Sequence, residues 1–328
     1  MANRISVIGT DLWTQRLAQL LRKYSDFKLG PVSGVGVKDC WRLLGLPVAS
    51  SVIRVGFRPG QLRPRGLLID VFSIVYMVLF GRLIFYWIGS DVQRTLDVFN
   101  TGRGIRAAWG RKVGRFLMGR SGHLVAAPWL VNELETIGVK AICVPFPSPT
   151  AKFSDLIYER TDPIRKLDVL TYIPDHNFKN YCGAEVVEAA RHMPKIRFAV
   201  MGGRGAWCEN PPDNIEFLGW TDAGEQYLRA AVVVRAVHHD ALGGTVREAL
   251  MCGCHVIYSF PHPCTIRIDL GESSEDTVRN LIKELSDLDE RCRSGRLMLN
   301  HQAREWVLGN LSEEVLMNNL IECLRKGL

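Results

Sequence analysis

The stretch 231–259 constrains the fold of this chain most, because strand, loop, helix and strand signals follow one another within it. It begins with four apolar, mostly β-branched residues, 231–234, a pattern typical of a strand buried on both faces of a parallel sheet. After a polar loop, Gly243 and Gly244 open a segment with apolar residues at helical spacing, and Val256 begins the next strand. The stretch predicts one unit of an open α/β sheet.

The polar loop predicts a site for an anion and a sugar. Ligands of open parallel sheets bind beyond the carboxyl ends of the strands, where this loop lies. Two glycines let the backbone approach a ligand, and the free N–H groups at the helix start favour an anion. Glu248, about one turn into the helix, can accept hydrogen bonds from a diol such as ribose. Plain helix capping is the alternative explanation for the glycines and acids.

The wider pattern resembles a known family. Asp240, seven residues, Glu248, and then Ala, a small residue and Gly before a strand are similar to the E-x7-E signature of GT-B glycosyltransferases, particularly the GT4-like class (glycosyl transferases group 1). Arg235 and the pair His239-Asp240 resemble a subgroup with an Arg at the strand end and a His-Asp pair before the glycines. The first acid departs from the usual Glu by one methylene, which leaves the donor sugar open.

The resemblance implies roles for these residues. Glu248 would bind the nucleotide ribose, and Asp240 would contact the donor sugar. The distal phosphate would be held by the backbone of three residues: Gly243, Gly244 and Thr245. The family usually places an Arg and a Lys after the strand predicted at 167–173. Lys179 matches the Lys, but no convincing Arg partner precedes it, and Lys179 fits an ordinary surface charge equally well.

The resemblance also predicts an α/β protein of GT-B fold, with two Rossmann-like α/β/α domains facing a cleft. The 328 residues are enough for two ordinary domains. Residues 1–150 would form the N-terminal acceptor domain and 165–300 the nucleotide-sugar domain. The terminal helix, 301–328, would pack back toward the first domain. Pro145, Pro147 and Pro149 predict a stiff linker, and the domain boundary is expected between about 146 and 166.

Four residues of the first domain are candidates for the acceptor side. Gly9 and Thr10 follow the strand predicted at 4–9, in a turn that lacks the GxGxxG fingerprint of dinucleotide binding. Ser90 and Asp91 follow the strand predicted at 83–88. Asp91 is a candidate general base for an acceptor hydroxyl, although it also fits a helix cap, with Ser90 as a rival cap. The catalytic hypothesis therefore names Asp91 and Asp240.

Charge and hydropathy raise the question of a membrane. The chain has a net charge of +7, and the segment 102–120 has six basic residues. Its apolar residues recur at helical spacing and predict one inward stripe: Ile105, Trp109, Val113, Phe116 and Leu117. A basic amphipathic helix favours an anionic membrane surface or a lipid-phosphate acceptor, with a solvated face as the alternative. No nucleic-acid-binding motif accompanies the charge.

The apolar run 67–80, interrupted by Asp70 and Ser73, is shorter than the roughly 20 residues of a membrane-spanning helix. We predict a buried helix there, with contact at the surface of a bilayer as the alternative.

The nine scattered cysteines include no CxxC pair and indicate reduced thiols. A cytoplasmic protein is expected. If it associates with a membrane, it would be a peripheral protein at the inner face. Five residues form a cluster of metal-binding types: Cys252, Cys254, His255, His262 and Cys264. Residues 254 and 255 straddle the start of a strand and would point to opposite faces, so no metal site is predicted.

These observations predict a metal-independent glycosyltransferase that moves a sugar from a UDP- or GDP-sugar to a hydroxyl acceptor. A lipid-linked acceptor or a cell-surface glycan precursor is one option. The nucleotide sugar is a substrate, and no cofactor is expected. The sequence leaves two alternatives open: a nucleotide-sugar epimerase of GT-B fold, and a non-catalytic module that binds a nucleotide sugar or a protein partner.

Overall fold

The computed structural model describes residues 4–9, 11–33, 51–59, 64–80, 82–147 and 150–326. The chain forms two compact units. The first comprises residues 1–148 and 313–328, and the second comprises residues 149–312. Each unit contains a six-stranded sheet in which the paired strands run parallel, as the buried β-branched runs predict.

The first unit contains six strands and six helices within the described residues. The strands are β1 (Arg4–Gly9), β2 (Lys28–Ser33), β3 (Ser51–Val55), β4 (Leu83–Trp87), β5 (Gly122–Val125) and β6 (Ile142–Cys143). Their order in the sheet is β2-β1-β3-β4-β5-β6. The helices are α1 (Asp11–Tyr24), α2 (Pro64–Phe80), α3 (Ser90–Asn100), α4 (Gly104–Met118), α5 (Pro128–Glu135) and, from the end of the chain, α12 (Glu313–Lys326).

A buried arginine orients α2 against this sheet. Arg54, the fourth residue of β3, forms an ion pair with Asp70 and donates a hydrogen bond to the Ser73 hydroxyl at 3.0 Å. Both partners lie on α2 and are buried. The polar interruptions of the apolar run therefore face inward, and apolar residues between them face solvent. The prediction that this helix is buried is wrong for its outer side.

The inward face of α4 also differs from the predicted stripe. Val113 and Leu117 are buried as predicted, but Ile105 and Trp109 are exposed. The face that packs inward is built largely from small residues: Ala107, Gly110 and Gly114. A Cβ added at Gly114 would lie 3.1 Å from the ring of Phe99 on α3, so the small residues allow α4 to approach α3 closely.

The second unit repeats the same architecture. Its strands are β7 (Asp168–Tyr172), β8 (Arg197–Met201), β9 (Ile215–Gly219), β10 (Val232–Arg235), β11 (His255–Tyr258) and β12 (Ile266–Arg267), in the order β12-β11-β10-β7-β8-β9. Its helices are α6 (Ala151–Ser154), α7 (Gly183–His192), α8 (Ala223–Arg229), α9 (Gly244–Met251), α10 (Ser274–Arg293) and α11 (His301–Leu311). Two 3₁₀ segments lie at Leu156–Glu159 and Asp175–Tyr181.

The segment predicted as one terminal helix, 301–328, contains two. The α11 helix contacts α9 in the second unit, and α12 contacts α1 in the first. Between the two helices, Ser312 has an extended backbone, which ends α11. At the start of α12, the buried Glu313 carboxylate accepts hydrogen bonds from Lys23 Nζ at 2.6 Å and the Tyr24 hydroxyl at 2.8 Å. These contacts join the end of the chain to α1.

The buried face of α12 gives a first prediction. Leu320→Ala removes a fully buried side chain and should lower the free energy of unfolding of the first unit by about 2–5 kcal/mol. The matched control, Asn319→Ala, changes an exposed neighbour and should stay within about 0.5 kcal/mol. Urea denaturation with hydrogen exchange should show lost protection in β1 and β3. Equal effects of the two variants would contradict the packing described.

Candidate functional site

The site predicted from the sequence lies where the sheet of the second unit changes direction. From β7 the chain runs through β8 and β9 to one edge, and then returns to place β10 on the other side of β7. The crevice beyond the carboxyl ends of two such strands is the usual ligand-binding position of open α/β sheets. The loop 236–243 leaves β10 at this point and leads into α9.

A buried ion pair holds this loop. Arg235, the last residue of β10, donates from Nε to Asp240 Oδ2 at 3.0 Å and from Nη2 to Oδ1 at 2.9 Å. The Tyr258 hydroxyl donates to the same Oδ2 at 3.0 Å. Burial opposes ionisation of the carboxyl group, but the guanidinium and its hydrogen bonds outweigh that effect, so the pKa of Asp240 lies below its ordinary value.

The two glycines at the start of α9 lie close to side chains of the site. A Cβ at Gly243 would lie 2.9 Å from Arg235 Nη2, and a Cβ at Gly244 would lie 3.0 Å from Glu248 Oε1. The Glu248 carboxylate thus reaches back to the first turn of its own helix, where the N–H groups have no partner within the helix. Its other oxygen accepts a hydrogen bond from the Tyr227 hydroxyl at 3.0 Å.

The loop is also joined to the 3₁₀ segment 175–181 after β7. His238 N donates to the carbonyl of Asn180 at 2.9 Å, and Asn180 Nδ2 donates to the carbonyl of His239 at 3.2 Å. The Arg235 guanidinium lies 4.7 Å from the ring centroid of Tyr181 on the same segment. The structure therefore brings together the elements that carry Lys179, Arg235, His239 and the glycine loop.

Lys179 is exposed on this segment. Among the described residues, its ammonium group forms no hydrogen bond or ion pair, whereas the buried guanidinium of Arg235 is paired with Asp240. The segment thus presents a solvated cation beside the loop that opens α9.

Aromatic side chains complete this edge of the sheet. Tyr172 ends β7, and its ring packs edge-on against Tyr181 and Trp220, with centroid distances of 5.6 and 6.0 Å. Trp220 follows β9 and is 81% exposed. Tyr227 and Tyr258 hold the two acids of the site. Trp220 lies in a Gly-aromatic turn that is visible in the sequence. No local sequence pattern identifies Tyr172, Tyr227 and Tyr258, because strand order alone brings them together.

The metal-binding residue types of 252–264 do not converge. The Cys254 thiol donates toward the carbonyls of Tyr227 and Ala230 at 3.5 and 3.4 Å, whereas His255 Nε2 lies 2.8 Å from the carbonyl of Met298. Among the described residues, no group of three or more His, Cys, Asp or Glu side chains is arranged to hold a metal ion.

Asp91 is buried at the carboxyl ends of β3 and β4 in the first unit. Its carboxylate accepts hydrogen bonds from Phe57 N at 3.2 Å, Ile88 N at 3.0 Å and Val92 N at 3.1 Å. With 2% of its surface exposed, it holds together the backbone beyond two adjacent strands. Burial raises the pKa of Asp91 to about 6, against the opposing effect of the backbone N–H donors.

The first unit contains three further residues predicted for the acceptor side: Gly9, Thr10 and Ser90. Gly9 lies where β1 and β3 separate, with a φ of +131°, and a Cβ there would lie 2.0 Å from the carbonyl oxygen of Val55. Ser90 is exposed in the first turn of α3 and provides no cap, because the N-cap residue is Gly89. Thr10 lies outside the described residues.

The fold is similar to that of solved glycosyltransferases. HepE from Anabaena, in complex with UDP and glucose, matches with a TM-score of 0.66 and 9% identity over 98% of this chain and 99% of that one. The lipopolysaccharide outer core galactosyltransferase WaaB matches with a TM-score of 0.63 and 10% identity over 99% and 100%. Sucrose-phosphate synthase from Thermosynechococcus elongatus matches with a TM-score of 0.57 and 13% identity over 99% and 98%.

This likeness shows the GT-B fold, with two Rossmann-like units, and confirms the predicted fold class. No protein-family model and no curated protein matches the chain.

The Arg235–Asp240 pair gives a second prediction. Asp240→Asn leaves a buried guanidinium without its anion and should lower the free energy of unfolding of the second unit by about 3–5 kcal/mol. The control is Asp213→Asn, at an exposed acid of the same unit, which should cost less than about 0.5 kcal/mol. Urea denaturation measures both. A loss of similar size in the control would show that the pair is not the cause.

Asp91 gives a third prediction, on pH. Its pKa in the folded chain, about 6, exceeds the ordinary 3.8, so the folded state binds a proton that the unfolded state releases. The contribution of this group to stability is thus full at low pH and decreases as the pH rises between these two values. The free energy of unfolding, relative to Asp91→Asn, should fall by up to about 3 kcal/mol between about pH 4 and about pH 7. The exposed Asp97→Asn, on the same helix, should keep the pH dependence of the wild type.

Proposed function

We propose that this protein is a glycosyltransferase that moves a sugar from a nucleotide-sugar donor to a hydroxyl acceptor. One observation carries the proposal. The glycine pair and Glu248 meet at the start of α9, beyond the carboxyl ends of β7 and β10. This arrangement offers N–H donors for a phosphate and a carboxylate for a diol at the position where open α/β sheets bind nucleotides.

The roles follow from the chemistry of each group. The N–H groups at Gly244 and Thr245 bind the distal phosphate, next to Gly243, whose own N–H donates to Asp240 Oδ2 at 3.4 Å. Glu248 accepts hydrogen bonds from the ribose. The exposed Lys179 supplies a positive charge near the diphosphate. Together with the N–H groups, that charge stabilises the leaving diphosphate during transfer. The exposed ring of Trp220 offers a surface on which a base can stack.

The contacts of Asp240 support a positioning role. Both carboxylate oxygens are bonded to Arg235, and one of them also to Tyr258. Asp240 thereby holds the loop and the charge of Arg235 in place, and direct contact with the donor sugar is left to other groups. Asp91 has a similar positioning role in the first unit, because backbone N–H groups donate hydrogen bonds to its carboxylate.

UDP-sugars are the first donors to test. HepE is described in complexes with UDP, with UDP-glucose, and with UDP and glucose. The pneumococcal transferase GtfA, with a TM-score of 0.57, is described with UDP and N-acetylglucosamine. GDP-sugars are the alternative donors, since the loop itself offers contacts to the phosphates and the ribose only.

A second candidate function is a module that binds a nucleotide sugar without transferring it. The observation in its favour is that Asp240, which the resemblance assigned to the donor sugar, is bonded to Arg235 and Tyr258. Release of UDP from UDP-glucose, by water or by an added acceptor, distinguishes the two functions. Tight nucleotide binding without any turnover would favour the module.

The fourth prediction tests the donor site by calorimetric titration of UDP and GDP. Glu248→Gln keeps the size of the side chain but replaces a charged acceptor, and should weaken binding by at least about tenfold. Glu225→Gln, at an exposed acid of α8, is the matched control and should bind as the wild type does. Binding of neither nucleotide by the folded wild-type protein would overturn the proposal.

A further inference from the structure

The outer side of α2 is a stripe of apolar residues exposed to solvent. Val78 and Leu79 are 65% and 63% exposed. The stripe follows the helical period, at positions i, i+3, i+7, i+10 and i+11: Leu68, Val71, Val75, Val78 and Leu79. An ordinary surface helix turns its polar residues outward, and α2 does the opposite, since Asp70 and Ser73 bond to Arg54 beneath it.

The apolar surface continues on α4. The connections β3-α2-β4 and β4-α3-α4-β5 advance in the same direction along the sheet, so right-handed crossovers place α2 and α4 on one face of it. The two helices contact each other. On α4, Ile105 is 87% exposed and Trp109 is also exposed. Tryptophan is enriched where an apolar phase meets water.

The exposed charged residues described on these two helices have one sign. Exposed cations lie along α4 and at its two ends: Arg103, Arg106, Lys112, Arg115 and Arg120. Arg82, two residues after α2, is exposed as well. The sequence of α4 contains no acid, and the acid of α2, Asp70, is buried in its ion pair. We call the outward residues of these two helices the α2–α4 surface.

An anionic bilayer is complementary to both the apolar residues and the positive charge of this surface. Apolar side chains of an interfacial helix enter the boundary between headgroups and acyl chains by about 5–10 Å, and cations beside them attract anionic headgroups. The stripe from Leu68 to Leu79 is about 16 Å long, which suits a helix lying in the plane of the bilayer. Among the described helices, none is long and apolar enough to cross a membrane.

We infer that the α2–α4 surface docks on the surface of a bilayer that contains anionic lipids. Leu68, Val75 and Leu79 enter the interface, Trp109 lies at its level, and the cations of α4 contact the headgroups. The inference goes beyond the proposed function and does not rest on it, because every residue involved belongs to the first unit.

Sedimentation with large unilamellar vesicles tests the docking on the full-length protein. One set of vesicles is phosphatidylcholine alone, and the other contains phosphatidylglycerol in addition. The wild type should bind the anionic vesicles at least about tenfold more tightly than the neutral ones, and added salt should reduce the difference.

Two variants separate the apolar from the electrostatic contribution. Val75→Asp with Val78→Asp places two charges on the stripe, and Arg106→Gln with Lys112→Gln and Arg115→Gln removes three cations. Each should weaken binding to anionic vesicles by at least about tenfold. All of these residues are exposed, so both proteins should keep the wild-type unfolding temperature.

The controls change exposed residues of the first unit that lie outside the α2–α4 surface. Leu12→Asp changes an exposed apolar residue of α1, and Arg22→Gln with Lys140→Gln removes exposed cations of the same unit. They should bind vesicles as the wild type does. Glu248→Gln should do so too, whatever its effect on nucleotide binding, which keeps the two proposals separable.

Three results would overturn the inference. The first is a folded wild-type protein that binds neither kind of vesicle. The second is equal loss of binding in the variants and their controls. The third is self-association of the wild type, abolished by Val75→Asp with Val78→Asp, without vesicle binding; it would make the surface an interface between copies of the chain.

Discussion

The buried ion pair between Arg235 and Asp240 is the interaction on which the candidate site depends. A guanidinium at the end of a core strand needs an anion close by, because a buried charge without a partner is strongly destabilising. Its partner lies five residues on, so the loop must fold back over the end of β10. Tyr258 from the neighbouring strand holds the same carboxylate. The glycines that follow are thereby fixed beside Arg235, at the start of α9.

The first unit also has a buried arginine paired with an acid, and there the pair fixes the orientation of a helix. Arg54 lies in a core strand and takes its anion, Asp70, from α2. A helix can turn only one side toward a sheet, so this pair fixes the rotation of α2 about its axis. The polar residues of α2 face the sheet, and apolar residues such as Val78 are exposed to solvent. The exposed stripe is thus a direct result of the ion pair. Loose packing of the core is not its cause.

Local patterns predicted much of this structure, and long-range partners account for what they missed. The strand, glycine pair and helix of 231–251 were readable because each signal lies within a few residues of the next. The side chains that complete the site, such as Tyr227 and Tyr258, arrive from other elements through the strand order. For α2, the period of the apolar residues is visible in the sequence, but the side that faces inward is decided by Arg54, which lies on strand β3. On α4, close packing against Phe99 selected the small residues over Ile105 and Trp109.

The short side chain of Asp240 has a physical explanation in this setting. Its carboxylate meets Arg235 through both oxygens and Tyr258 through one, inside a buried site. A Glu would have to place one more methylene in that space, and overpacking of a buried site typically costs about 1–3 kcal/mol. Here the acid is turned inward to hold a cation. In the proposed function, recognition of a donor falls to the backbone of the glycine loop, to Glu248 and to Lys179.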